Sequence, residues 1–181
     1  MTLEAERAQL LRWIDAETPD LIDVLARFTR AASPNPPGDT REATGVLASR
    51  LEQDGIAPLT VAPLAQAPNL IAAIDGGRAG KHLVLNGHID VFPCGDAHRW
   101  TRDPWGGEVV DGLIYGRGVS DMKNGTVALL FVHLWLARLA ETLPGRVTLT
   151  AVSDEETGGT WGAQYLIDHH PEVLGDCLLN A

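Results

Sequence analysis

Five residues are of types that can share a metal ion and a proton between them: His88, Asp90, Asp121, Glu155 and Glu156. His88 and Asp90 end an apolar run, Leu83-Val84-Leu85-Asn86-Gly87-His88-Ile89-Asp90, and their spacing puts both on one face of a strand. A carboxylate so placed can accept a hydrogen bond from one imidazole nitrogen and turn the other toward a metal. Asp121 follows Gly116-Arg117-Gly118 just ahead of an apolar helix, a turn from which its two oxygens could each reach a different ion. It is the candidate bridging ligand. Glu155 and Glu156 stand where a β-branched strand ends, and consecutive side chains there point apart, so one can bind metal while its neighbour takes a proton from water. One imidazole and four carboxylates form a nitrogen and oxygen donor set suited to Zn²⁺ or a similar divalent ion. Taken singly, each has an ordinary reading: a strand-edge pair, a helix cap, two solvated charges. Together they repel one another, and a cation is the natural compensation.

Alternating elements must carry these residues. Leu3 to Ala16 has helical spacing, Pro19 opens a second helical segment through Leu21, Ile22, Leu25 and Phe28, and the proline-rich stretch Ala32 to Thr40 is a loop. A helix over Arg41 to Gln53, terminated by Gly55, precedes strands at Ala57 to Val61 and Asn69 to Ile74. Asp75-Gly76-Gly77 turns the chain into the strand that ends at His88. Val91 to Gly107 lacks a period and reads as a long ordered loop anchored by Trp100 and Trp105, followed by a short hairpin over Glu108 to Tyr115. The helix from about Lys123 to Glu141 is apolar on most sides, so it is expected to be buried against a sheet. A strand over Arg146 to Ser153 runs into Asp154-Glu155-Glu156, a helix spans about Trp161 to His169 with Trp161 expected in the core, and Cys177-Leu178-Leu179 reads as one more buried strand. This alternation predicts an α/β fold, three-layer α/β/α with a mostly parallel central sheet. In such folds polar groups gather at the carboxyl ends of the strands, so all five candidates can share one rim.

Composition excludes several classes of partner. The 181 residues suit one domain, and 24 acidic against 14 basic residues give a net charge of −10 and a pI near 4.9. That charge argues against nucleic acid or an anionic membrane as a partner. No stretch approaches the roughly 20 apolar residues of a membrane-spanning helix, and the start lacks a basic and then apolar leader, so a cytoplasmic location is expected. Cys94 and Cys177 show no paired spacing, which predicts free thiols.

Four motifs in order closely resemble the di-zinc peptidase M20 family, which includes acetylornithine deacetylase, succinyl-diaminopimelate desuccinylase, aminoacylase and glutamate carboxypeptidase. They are Gly87-His88-Ile89-Asp90-Val91, the Trp100 and Asp103-Pro104-Trp105 loop, Gly116 to Gly125, and Asp154-Glu155-Glu156-Thr157-Gly158. The resemblance implies that His88 binds one zinc with Asp90 orienting it, that Asp121 bridges and is followed by a cis peptide to Met122, that Glu155 is the general base, and that Glu156 binds the second zinc. It implies two Zn²⁺ ions, with Co²⁺ a possible substitute, and hydrolysis of an amide in an N-acyl amino acid or small peptide. It also implies a further acidic ligand, a lid or dimerisation domain and a second ligating histidine, none of which matches a motif here. Residues 1–181 are therefore expected to be the amino-terminal part of one catalytic domain, with weakened metal binding, little turnover, and homodimers only where the absent domain is present. Two rivals remain: a non-catalytic metal-binding or assembly module on the same fold, and a nucleotide-binding module using Gly116-Arg117-Gly118. Against the latter, there is no phosphate-loop motif and Asp121 would stand where the phosphate lies.

Overall fold

The apolar run that ends at His88 forms β3 (Arg78–His88), whose alternate residues face opposite ways. Leu83 and Leu85 enter the main core, while Val84 and Asn86 line a groove on the other face. The computed structural model describes residues 2–181. Two helices, α1 (Leu3–Arg30) and α2 (Arg41–Gln53), precede β1 (Leu59–Val61), β2 (Asn69–Asp75) and β3. A hairpin of β4 (Glu108–Val110) and β5 (Leu113–Tyr115) stands apart as its own small sheet, and α3 (Asn124–Ala137), β6 (Pro144–Val152), α4 (Ala163–His169) and β7 (Cys177–Asn180) complete the chain.

The central sheet has the order β1-β2-β6-β3-β7. β6, β3 and β7 are mutually parallel, and β1 is antiparallel to β2, which is antiparallel to β6. Four of the five strands thus run one way, and the mostly parallel sheet expected from the alternation is present. The turn at Asp75-Gly76-Gly77 does lead into β3, yet β2 and β3 are not neighbours. β6 arrives from much later in the sequence and pairs with both.

The layers are unequal. On one face α1, α2 and α3 enclose a core that includes Phe28, Leu47, Leu85, Ile89, Phe131 and Leu149. α3 packs on the sheet with one side and on α1 and α2 with the others, which explains why it is apolar all round. The other face carries only α4 and a short turn, with Leu166 and Val173 packed on Val61, Ile71 and Val152.

Three expectations are corrected. α1 is a single helix running through Pro19, because Leu10 and Trp13 before it and Val24, Leu25 and Phe28 after it all join the same core. That packing carries the helix past the one hydrogen bond that proline cannot make. β7 is not buried: it is an edge strand paired only with β3, and Leu178 and Leu179 are exposed. Trp161 lies outside the core at 42% exposure, and its backbone does the packing work, donating to Asp154 and accepting from Asn69. Among the described residues no helix is long and apolar enough to cross a membrane, and Cys94 and Cys177 are free thiols.

Candidate active site

β3 and β6 end side by side, with His88 opposite Val152, and the loop after α1 crosses both ends. Val91 donates its amide to the Ser33 carbonyl, Asn35 donates its own to the Val91 carbonyl, and the Ser33 hydroxyl bonds the Ile89 carbonyl. Further along, the Thr40 hydroxyl pairs with that of Ser153 just past β6. The proline-rich loop is therefore a strap that ties the ends of two strands together.

Glycines allow close approach at two points. A Cβ on Gly87 would lie 2.5 Å from the Thr126 hydroxyl, which itself donates to the His88 carbonyl, so only glycine lets α3 settle against the strand here. Gly118 has a left-handed backbone (φ 77°) and a Cβ there would collide with Val91, which places the turn bearing Asp121 against the end of β3. The peptide between Asp121 and Met122 is cis, as the resemblance implies. Arg117 lies over the Trp100 ring, its guanidinium carbon 5.1 Å from the centroid, and so joins the tryptophan loop to the Asp121 turn.

His88 is buried, and its ring is fixed from one side. Nδ1 lies 2.7 Å from the backbone carbonyl oxygen of Asp90, an acceptor only, so Nδ1 carries the hydrogen. In the neutral imidazole Nε2 then presents a bare lone pair. It faces Asp121 Oδ1 at 3.3 Å and Glu155 Oε2 at 3.8 Å. A lone pair opposed by two carboxylates is repulsive unless a proton or a cation lies between them.

The orienting group differs from the expectation. The Asp90 carboxylate was expected to accept from the imidazole, yet its Oδ1 is 3.6 Å from Nδ1 and the Asp90 carbonyl takes that bond instead. Asp90 lies past the end of β3, where the bending chain brings its own carbonyl back over the ring. Its carboxylate, wholly buried, points the other way and accepts from the amides of Glu155 (3.2 Å) and Glu156 (3.1 Å) and from Asn35 Nδ2 (2.9 Å).

Glu155 and Glu156 also diverge for another reason than the strand pleat. β6 ends at Val152, and the two residues open a short 3₁₀ turn, Glu155–Thr157. Glu155 projects to the His88 ring, whereas Glu156 accepts from the Phe92 amide at 2.8 Å. Burial, joined by repulsion from Asp121 and Asp90, raises the pKa of the Glu156 carboxyl above its ordinary value, against the Phe92 amide and His88, which lower it. His88, Asp121 and Glu155 thus meet around one point, Glu156 stands at its margin, and Asp90 lies beneath. Among the described residues no three His, Cys, Asp or Glu side chains close to ligating separation as they stand.

Sequence reasoning missed Asn35, Asp154 and Thr157, which lie under the site. Asn35 and Asp154 are buried and joined through Asn35 Nδ2, and Thr157 bonds both. Asparagine beside proline is an ordinary turn pattern, so the sequence carried no signal for Asn35.

The order of these motifs is that of a known family: residues 84–179 match the model of peptidase family M20/M25/M40. The chain belongs to that family. A succinyl-diaminopimelate desuccinylase of Cereibacter sphaeroides is 47% identical over 116 residues, which are 62% of this chain and 30% of that protein. Among solved structures, an M20 family metallo-carboxypeptidase from Sulfolobus solfataricus superposes with a TM-score of 0.77 at 24% identity, covering 88% of this chain and 36% of that one. A Bacillus subtilis M20 protein described as a dinuclear metal-binding peptidase gives 0.66 at 19% identity, over 92% and 43%. The chain spans well under half the length of the curated relatives it matches.

Proposed function

We propose that these residues form one wall of a two-zinc hydrolytic site that cleaves the amide bond of an N-acyl amino acid or small peptide. The observation that carries this reading is the His88 ring: Nδ1 is committed to a carbonyl, and Nε2 faces two carboxylates. A divalent cation resolves that opposition, and nitrogen with carboxylate oxygen is a donor set that zinc accepts, with Co²⁺ a substitute. His88 and Asp121 would hold one ion, and Asp121 and Glu156 the other. Bound zinc supplies polarisation of the scissile carbonyl and a lowered pKa for water.

The remaining roles belong to the protein's own groups. Glu155 is 59% exposed and free of any backbone partner for its carboxylate, so it can accept a proton from the attacking water and pass it to the departing amine. Asp90 holds the amides of Glu155 and Glu156 and so fixes the relative placement of base and ligand. His88, Asp121 and Glu156 are too few for two catalytic ions, which take about three protein ligands each, so further ligands are required. These residues alone are expected to bind metal weakly and turn over little. The desuccinylase relatives make an N-succinyl amine the first amide to assay.

Zinc titration of wild type and of His88→Ala by calorimetry tests the reading. Wild type should bind zinc, and the variant should bind it at least tenfold more weakly. Binding of ATP without binding of zinc would replace this reading with the nucleotide-binding one.

A further inference from the structure

Asn35 sits where three stretches far apart in sequence meet, at 6% exposure. Its backbone amide is fixed by the Val91 carbonyl, so the strap delivers its side chain beneath the ends of β3 and β6. Nδ2 has two hydrogens and three acceptors around it: Asp90 Oδ2 at 2.9 Å, Thr157 Oγ1 at 3.0 Å and Asp154 Oδ1 at 3.3 Å. One hydrogen serves Asp90, and the other is shared between Thr157 and Asp154.

Both carboxylates are buried, Asp90 completely and Asp154 at 8% exposure, and among the described residues no lysine or arginine pairs with either. Two anions held this close in a buried place repel and need donors between them. Asp154 is otherwise served by the Thr157 hydroxyl and the Trp161 amide, and Asp90 by the amides of Glu155 and Glu156. The Asn35 amide is the one side chain that donates to both. Its effect reaches the reactive groups through Asp90 Oδ2, which accepts from Asn35 and from the Glu156 amide alike.

The geometry points to Asn35 as a positioning residue for the proposed hydrolysis, clamping the Asp90 and Asp154 carboxylates together and thereby setting the turn that presents Glu155 and Glu156. It touches neither ion nor substrate. The assignment of a role in hydrolysis rests on the proposed function, but the clamp itself does not, and the two are measured separately.

The test is amide hydrogen exchange in the intact protein carrying Asn35→Ala, read at Glu155, Glu156 and, as a reference in the sheet, Leu149. Exchange at the two glutamate amides should accelerate at least tenfold while Leu149 stays within twofold. Uniform acceleration, or none, would overturn the clamp. Should the alanine variant fail to fold, Asn35→Ser keeps one hydroxyl hydrogen, enough for at most one carboxylate, and the same local acceleration is expected. In parallel, in a chain that also supplies the remaining metal ligands, hydrolysis of an N-succinyl amino acid with zinc bound should show kcat down tenfold or more with KM within twofold. An unchanged kcat alongside the local exchange effect would remove the catalytic role and leave the clamp. Wild-type protein that binds no zinc would instead count against the proposed function alone.

Discussion

The floor of the site and its rim are built from the same strand ends in opposite ways. In the floor, Asn35, Asp90 and Asp154 are buried and hydrogen-bonded to one another and to nearby amides. On the rim, Asp121 and Glu155 have side chains 82% and 59% exposed, and the polar group near each of them is the His88 ring. His88 belongs to both, since its Nδ1 is tied down and its Nε2 is left open. Groups that must bind a cation or move a proton cannot also be saturated by protein donors, so the precision they need is stored one layer below. The local order of the turn should accordingly respond to the floor and chemistry to the rim.

Glu155→Gln is the sharpest way to break that division. In a chain that also supplies the remaining metal ligands it should lower turnover by roughly 10²- to 10⁴-fold, the usual contribution of a general base, while zinc still binds and the urea midpoint hardly moves. Wild-type-like rates would refute the role of Glu155. A large loss of stability would show that the rim carries structure after all.

His133 shows what burial costs where partners are lacking, and so calibrates the floor. It lies on α3, fully buried, and neither ring nitrogen has a partner at hydrogen-bond geometry among the described residues. Burial lowers its pKa to about 4, against a weak opposing pull from the Ala72 backbone. The sign follows from linkage. Below its ordinary value of 6.5 the unfolded chain takes up a proton that the folded protein refuses until about pH 4, so stability is full above that window and falls as pH drops through it. The loss amounts to about 3 kcal/mol at most. Urea denaturation between pH 7 and 4 should show this slope in wild type and a shallower one in His133→Leu. Equal slopes would mean that the ring finds a partner and is no guide to unpaired burial.

The rim was far more legible in the sequence than the floor. His88, Asp121, Glu155 and Glu156 each have an ordinary reading alone, but they stand in short motifs at the ends of predicted elements, and it is their joint occurrence on one rim that singles them out. The floor depends on contacts between residues 55 and 119 positions apart, Asn35 with Asp90 and Asn35 with Asp154, which no periodicity reports. Asp90 was expected to accept from the imidazole through its carboxylate and does so through its carbonyl, because strand spacing predicts where a side chain points and not where the chain bends after the strand ends. The same limit explains the sheet order. A turn after β2 looks local, whereas the insertion of β6 between β2 and β3 is a long-range choice made by packing. Pro19 fell on the other side of the balance, where local propensity pointed to a break and tertiary burial kept the helix whole.

Lys123 offers the smallest and most discriminating change, because it reaches beneath the rim from the helix side. It is fully buried two residues after Asp121, with Nζ 4.5 Å from the centroid of the Phe28 ring and donating to the carbonyls of Phe28 and Ala31. Those carbonyls belong to the end of α1, whose last turn has no further amides to accept from, so the amine acts as its cap. Burial lowers the Lys123 pKa to about 7, but the neutral amine keeps two N–H groups and can serve both carbonyls in either form. Lys123→Met keeps an unbranched apolar chain over Phe28 and removes the donors together with the cation–ring contact. Two unpaired carbonyls, each worth about 1 kcal/mol, predict a loss of about 2 kcal/mol in urea denaturation. If the floor extends under Asp121, zinc affinity should weaken along with stability. If stability falls while zinc affinity is unchanged, Lys123 is a helix cap alone, and the Asp121 turn is held by Gly118 against Val91 instead.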